Sequence, residues 1–308
     1  NTINGKTSAE VNNTNINSIG DLTGINNSAN VFVNAYDKVD MQSHIGTLSV
    51  GGAATIGAGI AAAVDVNNIN RETTAKIVGV AGTDLNKNIV NGYNIDVNAL
   101  GETDITITES GLAVGAGASG GGAVIGSVSV NHFTGLTNAM VNGIISNAHQ
   151  LNIEANRVAD IQTYNNGAAV SGGEIAGAIG VGVTYVKDES STSANLNNSS
   201  IERIGSVAGS TVSVQADNKS SISTEAGSGA LAIGLGGAVG TSIGVANMNN
   251  TASATISNTI IGENNSFDNV DVEADNLLSS NFTNWAAGGG LGGIGVGVGV
   301  NTVNSGVS

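Results

Sequence analysis

The chain has 308 residues, with 46 glycines, no proline, no cysteine and one tryptophan, and only 11% of its residues are charged, for a net charge of −15. So acidic a chain is unsuited to the phosphate backbone of nucleic acid and to anionic lipid surfaces, and without cysteine it has neither disulfide staples nor thiolate metal centres. Apolar residues make up 40% and aromatic ones 3%, so a core can form, built from Val, Ile, Leu and Ala; this is not the composition of a disordered acidic tail.

Taken in chain order, similar blocks follow one another. Each opens on a polar stretch holding Ala and an aliphatic residue two positions on: Ala9/Val11, Ala75/Ile77, Ala139/Val141, Ala194/Leu196 and Ala254/Ile256. An anchor of the form aliphatic-x-aliphatic-x-Ala recurs at Val31/Val33/Ala35, Ile95/Val97/Ala99, Leu151/Ile153/Ala155, Val212/Val214/Ala216 and Val270/Val272/Ala274. Successive anchors lie 64, 56, 61 and 58 residues apart. A Gly/Ala-rich run follows each anchor and leads into alternating aliphatics, as in Val64-Asp65-Val66-Asn67, Val128-Ser129-Val130-Asn131 and Val298-Gly299-Val300-Asn301. The approximate repeats are 7–70, 71–133, 134–188, 189–249 and 250–308, which makes 1–308 a single solenoid segment of about five degenerate repeats of ~60 residues.

Within each block the period is two. In Val270-Asp271-Val272-Glu273-Ala274-Asp275 the apolar side chains fall on one face and the acids on the other, the pattern of a half-buried strand. No stretch sustains helical spacing. The expected fold is therefore all-β: a parallel β-helix, right-handed because crossovers between parallel strands are. A sixty-residue unit is expected to hold two or three coils of about 20–30 residues, so about 12–15 coils would form a rod on the order of 60–75 Å long at one strand spacing per coil. Asn suits the corners, since it tolerates the left-handed conformation, and stacked Asn side chains can form ladders.

The glycine-rich runs allow two readings. Gly111–Val130 is uncharged and twenty residues long, long enough for a membrane helix, but its glycines disfavour helix by about 1 kcal/mol each. Strands with Val inward and Gly outward are the expectation.

No catalytic constellation stands out. His44, His132 and His149 have no metal-binding spacing and read as solvated loop residues, and no nucleophile elbow or phosphate loop is present in a fitting context. Asp271, Glu273 and Asp275 share one strand face and are the one candidate for Ca²⁺, competing with a plain solvated face; Glu102/Asp104 form a second acidic pair. One tryptophan and four tyrosines leave few platforms for sugars. The expectation is a non-enzyme without cofactor.

The ordered pattern, carried most clearly by Gly234–Asn249 and Gly288–Asn301 with the anchors Val212–Ala216 and Val270–Ala274, resembles the repeats of large secreted β-helical proteins of Gram-negative bacteria. These are the leukotoxin-like filamentous adhesins and the passengers of type V (autotransporter or two-partner) secretion systems. The resemblance implies a secreted or outer-membrane-anchored surface segment that attaches to a protein or glycan receptor on host cells or other bacteria. Its alternatives are a leukotoxin segment acting on host membranes and, last, a β-helical polysaccharide-degrading enzyme. The chain begins and ends within the repeat pattern and shows no leader signature, so a piece of a longer protein is expected, with self-association where coils lack caps.

Overall fold

A computed structural model describes residues 1–17, 30–79, 88–205 and 208–308. Among them there is no helix, and nearly everything is strand: β1 (Thr2–Asn12), β2 (Ile16–Asn17), β3 (Asn30–Ala53), β4 (Ile56–Val78), β5 (Asn88–Gly117), β6 (Gly120–Asn142), β7 (Ile144–Asn197), β8 (Ser200–Arg203), β9 (Thr211–Leu235), β10 (Gly237–Ser257), β11 (Ile260–Ile261), β12 (Asn269–Gly289) and β13 (Gly292–Val307). Every pairing is parallel. The chain is a parallel β-solenoid.

The register shows how the repeat maps onto the coil. Val31 pairs with Ile95, Ile95 with Leu151, Leu151 with Val212 and Val212 with Val270. Anchor stacks on anchor, so one repeat is one coil, and the expected division into two or three coils per repeat is wrong. The period reveals how far apart stacked residues lie in sequence but not how many corners the chain turns between them. Here the chain runs long and straight: β3 has 24 residues and β4 has 23. At about 3.3 Å per residue each spans roughly 80 Å, whereas five rungs at about 4.8 Å stack only ~24 Å deep. The molecule is a broad blade, not a rod of a dozen coils.

Each coil has three sides. A short end wall comprises β2, the start of β5, the start of β7, β8 and β11. A front wall comprises β3, β5, the middle of β7, β9 and β12. The chain turns sharply at the blade's tip and returns along a back wall of β4, β6, the last third of β7, β10 and β13, with β1 stacked on the end of β4.

The anchors explain the broad end of the blade. The aliphatics of the first four point inward beside Ala75, Ala139 and Ala194 of the opening motif and beside Val90, Ile144 and Ile201 of the end wall, forming one apolar cluster, while Val270 and Val272 of the last coil are 46% exposed. A second cluster, at mid-blade, holds Ile69, Ile105, Ile107, Phe133, Ile161 and Ile222. The third, towards the tip, is nearly all alanine. Rows of buried polar side chains separate the three, so along β5 the inward residues pass from Val97 and Ala99 through Ile105 and Ile107 to Glu109 and then Ala113.

Side-chain volume falls along this series because the walls converge. A Cβ on Gly59 would overlap the Val114 carbonyl, and one on Gly115 would overlap that of Gly122. Glycine therefore lines the inside of the tip and the valines face out, the reverse of the sequence expectation. Ile60 and Val64 are 72% and 64% exposed, while Ala61 and Ala63 between and beside them are buried. Alternation of period two has the same appearance in either phase, and the space between the walls decides between them. The run Gly111–Val130 is accordingly strand, turn and strand, and no helix among the described residues is long and apolar enough to cross a membrane.

The corner after the back wall is where asparagine was expected. Asn13, Asn198 and Asn258 occupy it with φ of 48°, 51° and 49°, and Gly143 holds the equivalent place at 71°. Their amides continue the ladder, with Asn13 N–H donating to Val78 O and Asn198 N–H to Ser257 O. Stacked Asn pairs are present too: Asn67 Nδ2 donates to Asn131 Oδ1 at 2.8 Å, and Asn218 Nδ2 to Asn276 Oδ1 at 2.7 Å.

Candidate interaction surface

Chemistry-bearing groups fall into buried ladders and outer faces. The deepest charge is Asp188, which replaces the apolar residue of its column: Phe133 lies on one side of it and Met248 on the other. It is fully buried, and Arg157 is 4% exposed. Arg157 Nη2 donates to Asp188 Oδ1 at 3.0 Å, Ser190 Oγ to Oδ1 at 2.7 Å, and Ser220 Oγ and Asn250 Nδ2 to Oδ2 at 2.7 and 2.8 Å. Burial pushes the carboxyl up, but Arg157 and the three neutral donors outweigh it, and the group is held below the ordinary carboxylate range. Gly135 makes room for this, since a Cβ there would press on the Arg157 side chain. Arg71 and Asp37 form a similar ion pair in the first coil, with Arg71 Nε donating to Asp37 Oδ2 at 2.7 Å.

A second ladder lies nearer the tip. Asp65 Oδ2 accepts from Asn67 Nδ2 at 2.9 Å and from Ser43 Oγ at 3.2 Å. Glu109 is fully buried, and neither of its carboxylate oxygens has a hydrogen-bond partner among the described residues. Burial, with the Asp65 charge added, pushes its carboxyl up to about 8, so it is neutral over most of the physiological range. Both ladders are closed to substrate and serve the interior.

The candidate residues from the sequence separate on the structure. Asp271, Glu273 and Asp275 do share the outward side of β12, beside Ser213, Gln215 and Asp217 of the next strand. Among the described residues no group of three or more His, Asp or Glu is gathered as a metal site. Glu102 accepts from the Tyr36 hydroxyl at 2.8 Å and lies 3.6 Å from Lys38, and Asp104 lines the same shallow depression as Lys38 and Glu102.

The histidines are not solvated loop residues, because strands carry all three. His44 points outward, His132 lies 3.3 Å from Glu189, and His149 is buried and stacks on Tyr93 with ring centroids 4.6 Å apart. Trp285 lies over Gly227 and donates to Glu225 Oε1 at 3.2 Å.

What the sequence reading missed is the outside of the tip. On the back wall the residues Ile60, Val124, Ile179, Val239 and Ile294 stack in one column, all of them exposed. Val64, Val128, Val183, Ile243 and Val298 form another. The front wall adds Leu48 and Val50, which are 70% and 69% exposed. The uncharged runs signalled this surface, and only the phase of the alternation was misread. Charged outer residues cluster instead towards the broad end, as in Lys6–Glu72, Lys76–Glu10 and Lys187–Glu189. The depression lined by 46–48 and 110–112 is a groove between rows of this apolar surface.

Comparison with protein-family models, with curated proteins and with solved structures finds no match. The class is thus set by the fold itself, a parallel β-solenoid with one coil per repeat.

Proposed function

We propose that this chain is a structural and adhesive segment of a large bacterial surface or secreted protein, attaching to a protein or glycan receptor on host cells or on other bacteria. One observation carries the reading: the outer walls repeat the same positions in register from coil to coil, while the fully buried carboxyls, Glu109 and Asp188, are sealed inside. Such walls present rows of identical spacing, which suits many weak contacts made together. The reading assigns the chain no catalytic step and no cofactor.

The test is binding of the labelled chain to epithelial cells, leukocytes and bacteria, with dye release followed in the same wells. Saturable binding without leakage is expected. Leakage at micromolar protein would replace this reading with a membrane-perturbing one, for which the uncharged tip is the supporting feature. No binding to any of the three would overturn it.

A further inference from the structure

We infer that the outer face of the back wall at the tip is a self-association surface, and that its occupant is the same face of a second copy of this chain. This goes beyond the adhesive reading and does not depend on it.

The first support is area. The face comprises four outward columns over five rungs, beginning at Ile60, Ala62, Val64 and Val66 and ending at Ile294, Val296, Val298 and Val300. With columns about 6.6 Å apart and rungs about 4.8 Å apart, it covers roughly 600 Å² per copy. A pair would bury about 1,200 Å², the lower bound of stable specific interfaces. Solvent-exposed aliphatic patches on monomers rarely exceed a few hundred Å².

The second support is charge. A chain of net charge −15 repels its own copies, and an uncharged face is where that repulsion opposes contact least. None of the outward residues in these four columns is charged.

The third is shape. The second column runs Ala62, Gly126, Val181, Thr241, Val296, small at one end and branched at the other. A two-fold axis in the face and parallel to the strands reverses the rung order while leaving each column over itself. Ala62 then meets Val296 of the second copy, Gly126 meets Thr241, and Val181 meets Val181. Hollow lies against ridge along the column, which is the self-complementarity an isologous pair needs. Two sheets packed face to face in this way form a dry, interdigitated layer about 10 Å thick.

A lipid bilayer fits less well. Among the described residues β12 and β13 are paired on one side only, as is β4 over its tip half. In hydrocarbon those unpaired backbone groups would have no partner.

The test is the mass of the full chain in solution from light scattering and sedimentation between 1 and about 100 µM, a range chosen for an interface near the lower area bound. A dimer is expected for the wild type. Ile243→Lys, on the face but outward from the core, should give a monomer with an unchanged circular dichroism spectrum; Leu48→Lys, on the opposite wall, should remain a dimer. Because the chain has no cysteine, an equimolar mixture of Ala62→Cys and Val296→Cys chains should form a heterodimeric disulfide under mild oxidation, in preference to either homodimer. A wild type that is monomeric at 100 µM overturns the inference. So does a dimer that survives Ile243→Lys, or a monomer that binds neutral phosphatidylcholine vesicles through this face.

Discussion

The Arg157 guanidinium and the Asp188 carboxylate meet inside the solenoid at 3.0 Å, both of them buried. They come from opposite walls of the blade; the column of Arg157 otherwise holds Asp37, Gly101, Asn218 and Asn276, and Asp188 stands in its own column between Phe133 and Met248. Removing one partner strands the other in the interior. Arg157→Met is expected to destabilise the fold by about 3–5 kcal/mol, read as a lower midpoint in guanidinium denaturation. Arg157→Met combined with Asp188→Met extends the neighbouring apolar column and should recover most of the loss. A double variant as unstable as the single one would show that the polar network itself, not its charge balance, holds the two walls.

The same pair sets a pH limit. The Asp188 carboxyl titrates lower in the folded chain than in the unfolded one, so its stabilisation is present above the unfolded value, about 3.9, and is lost as the pH falls through the folded value. The difference in stability between the wild type and the Arg157/Asp188 double-Met variant should therefore narrow or reverse in favour of the variant below about pH 4. A difference independent of pH across that window would contradict the assignment.

Glu109 acts in the opposite sense. Its carboxyl stands near 8 when folded, against an ordinary value of 4.5. Above pH 4.5 the unfolded chain gives up this proton and the folded chain keeps it, so the folded state loses ground steadily until about pH 8. Glu109→Gln removes the titration. The variant should match the wild type near pH 4 and exceed it at pH 7 by on the order of 3 kcal/mol. Urea midpoints of the two proteins, compared across that range, check this.

How much of this was legible depends on what burial demands of each residue. The anchors were legible because a three-sided end filled by Val33, Val97, Ile153 and Val214 requires branched side chains at fixed intervals. Asn13, Asn198 and Asn258 were legible as corner residues because a positive φ restricts the choice. The coil length was not, since nothing in β3 marks where a shorter coil would have turned. Nor was the phase of the tip: Val64-Asp65-Val66-Asn67 reads equally well either way, and only the opposing wall shows that Asp65 and Asn67 are inside. The apolar docking face was hidden by that one reversal, and Glu109 could not be distinguished from a solvated acid without its neighbour Asp65.

That reversal can be tested directly. At Gly115 an added Cβ would overlap the Gly122 carbonyl, whose backbone cannot withdraw without parting the walls. Gly115→Ala should therefore lower stability by about 1–3 kcal/mol, the usual cost of overpacking, even though Ala is the better residue for an unconstrained backbone. Val64 points out at 64% exposure, and at a dilution where the chain is monomeric Val64→Ala should change stability by less than about 0.5 kcal/mol. If Val64→Ala were the damaging change and Gly115→Ala the silent one, the valines would be inside and the blade's tip would be built the other way round.

The corner asparagines make the last case. Asn198 sits at φ 51° and its Nδ2 donates to Asn142 Oδ1 at 2.9 Å. Asn198→Ala loses that bond and forces a Cβ into a left-handed conformation without the local compensation Asn provides, a cost of about 1–2 kcal/mol. Asn198→Gly loses the bond but relieves the backbone, and should fall between alanine and wild type. The order wild type, Gly, Ala in thermal midpoint is the expected result. An alanine variant as stable as the wild type would mean that the corner has room to relax, and that the stacked walls, not the turn, set the length of the coil.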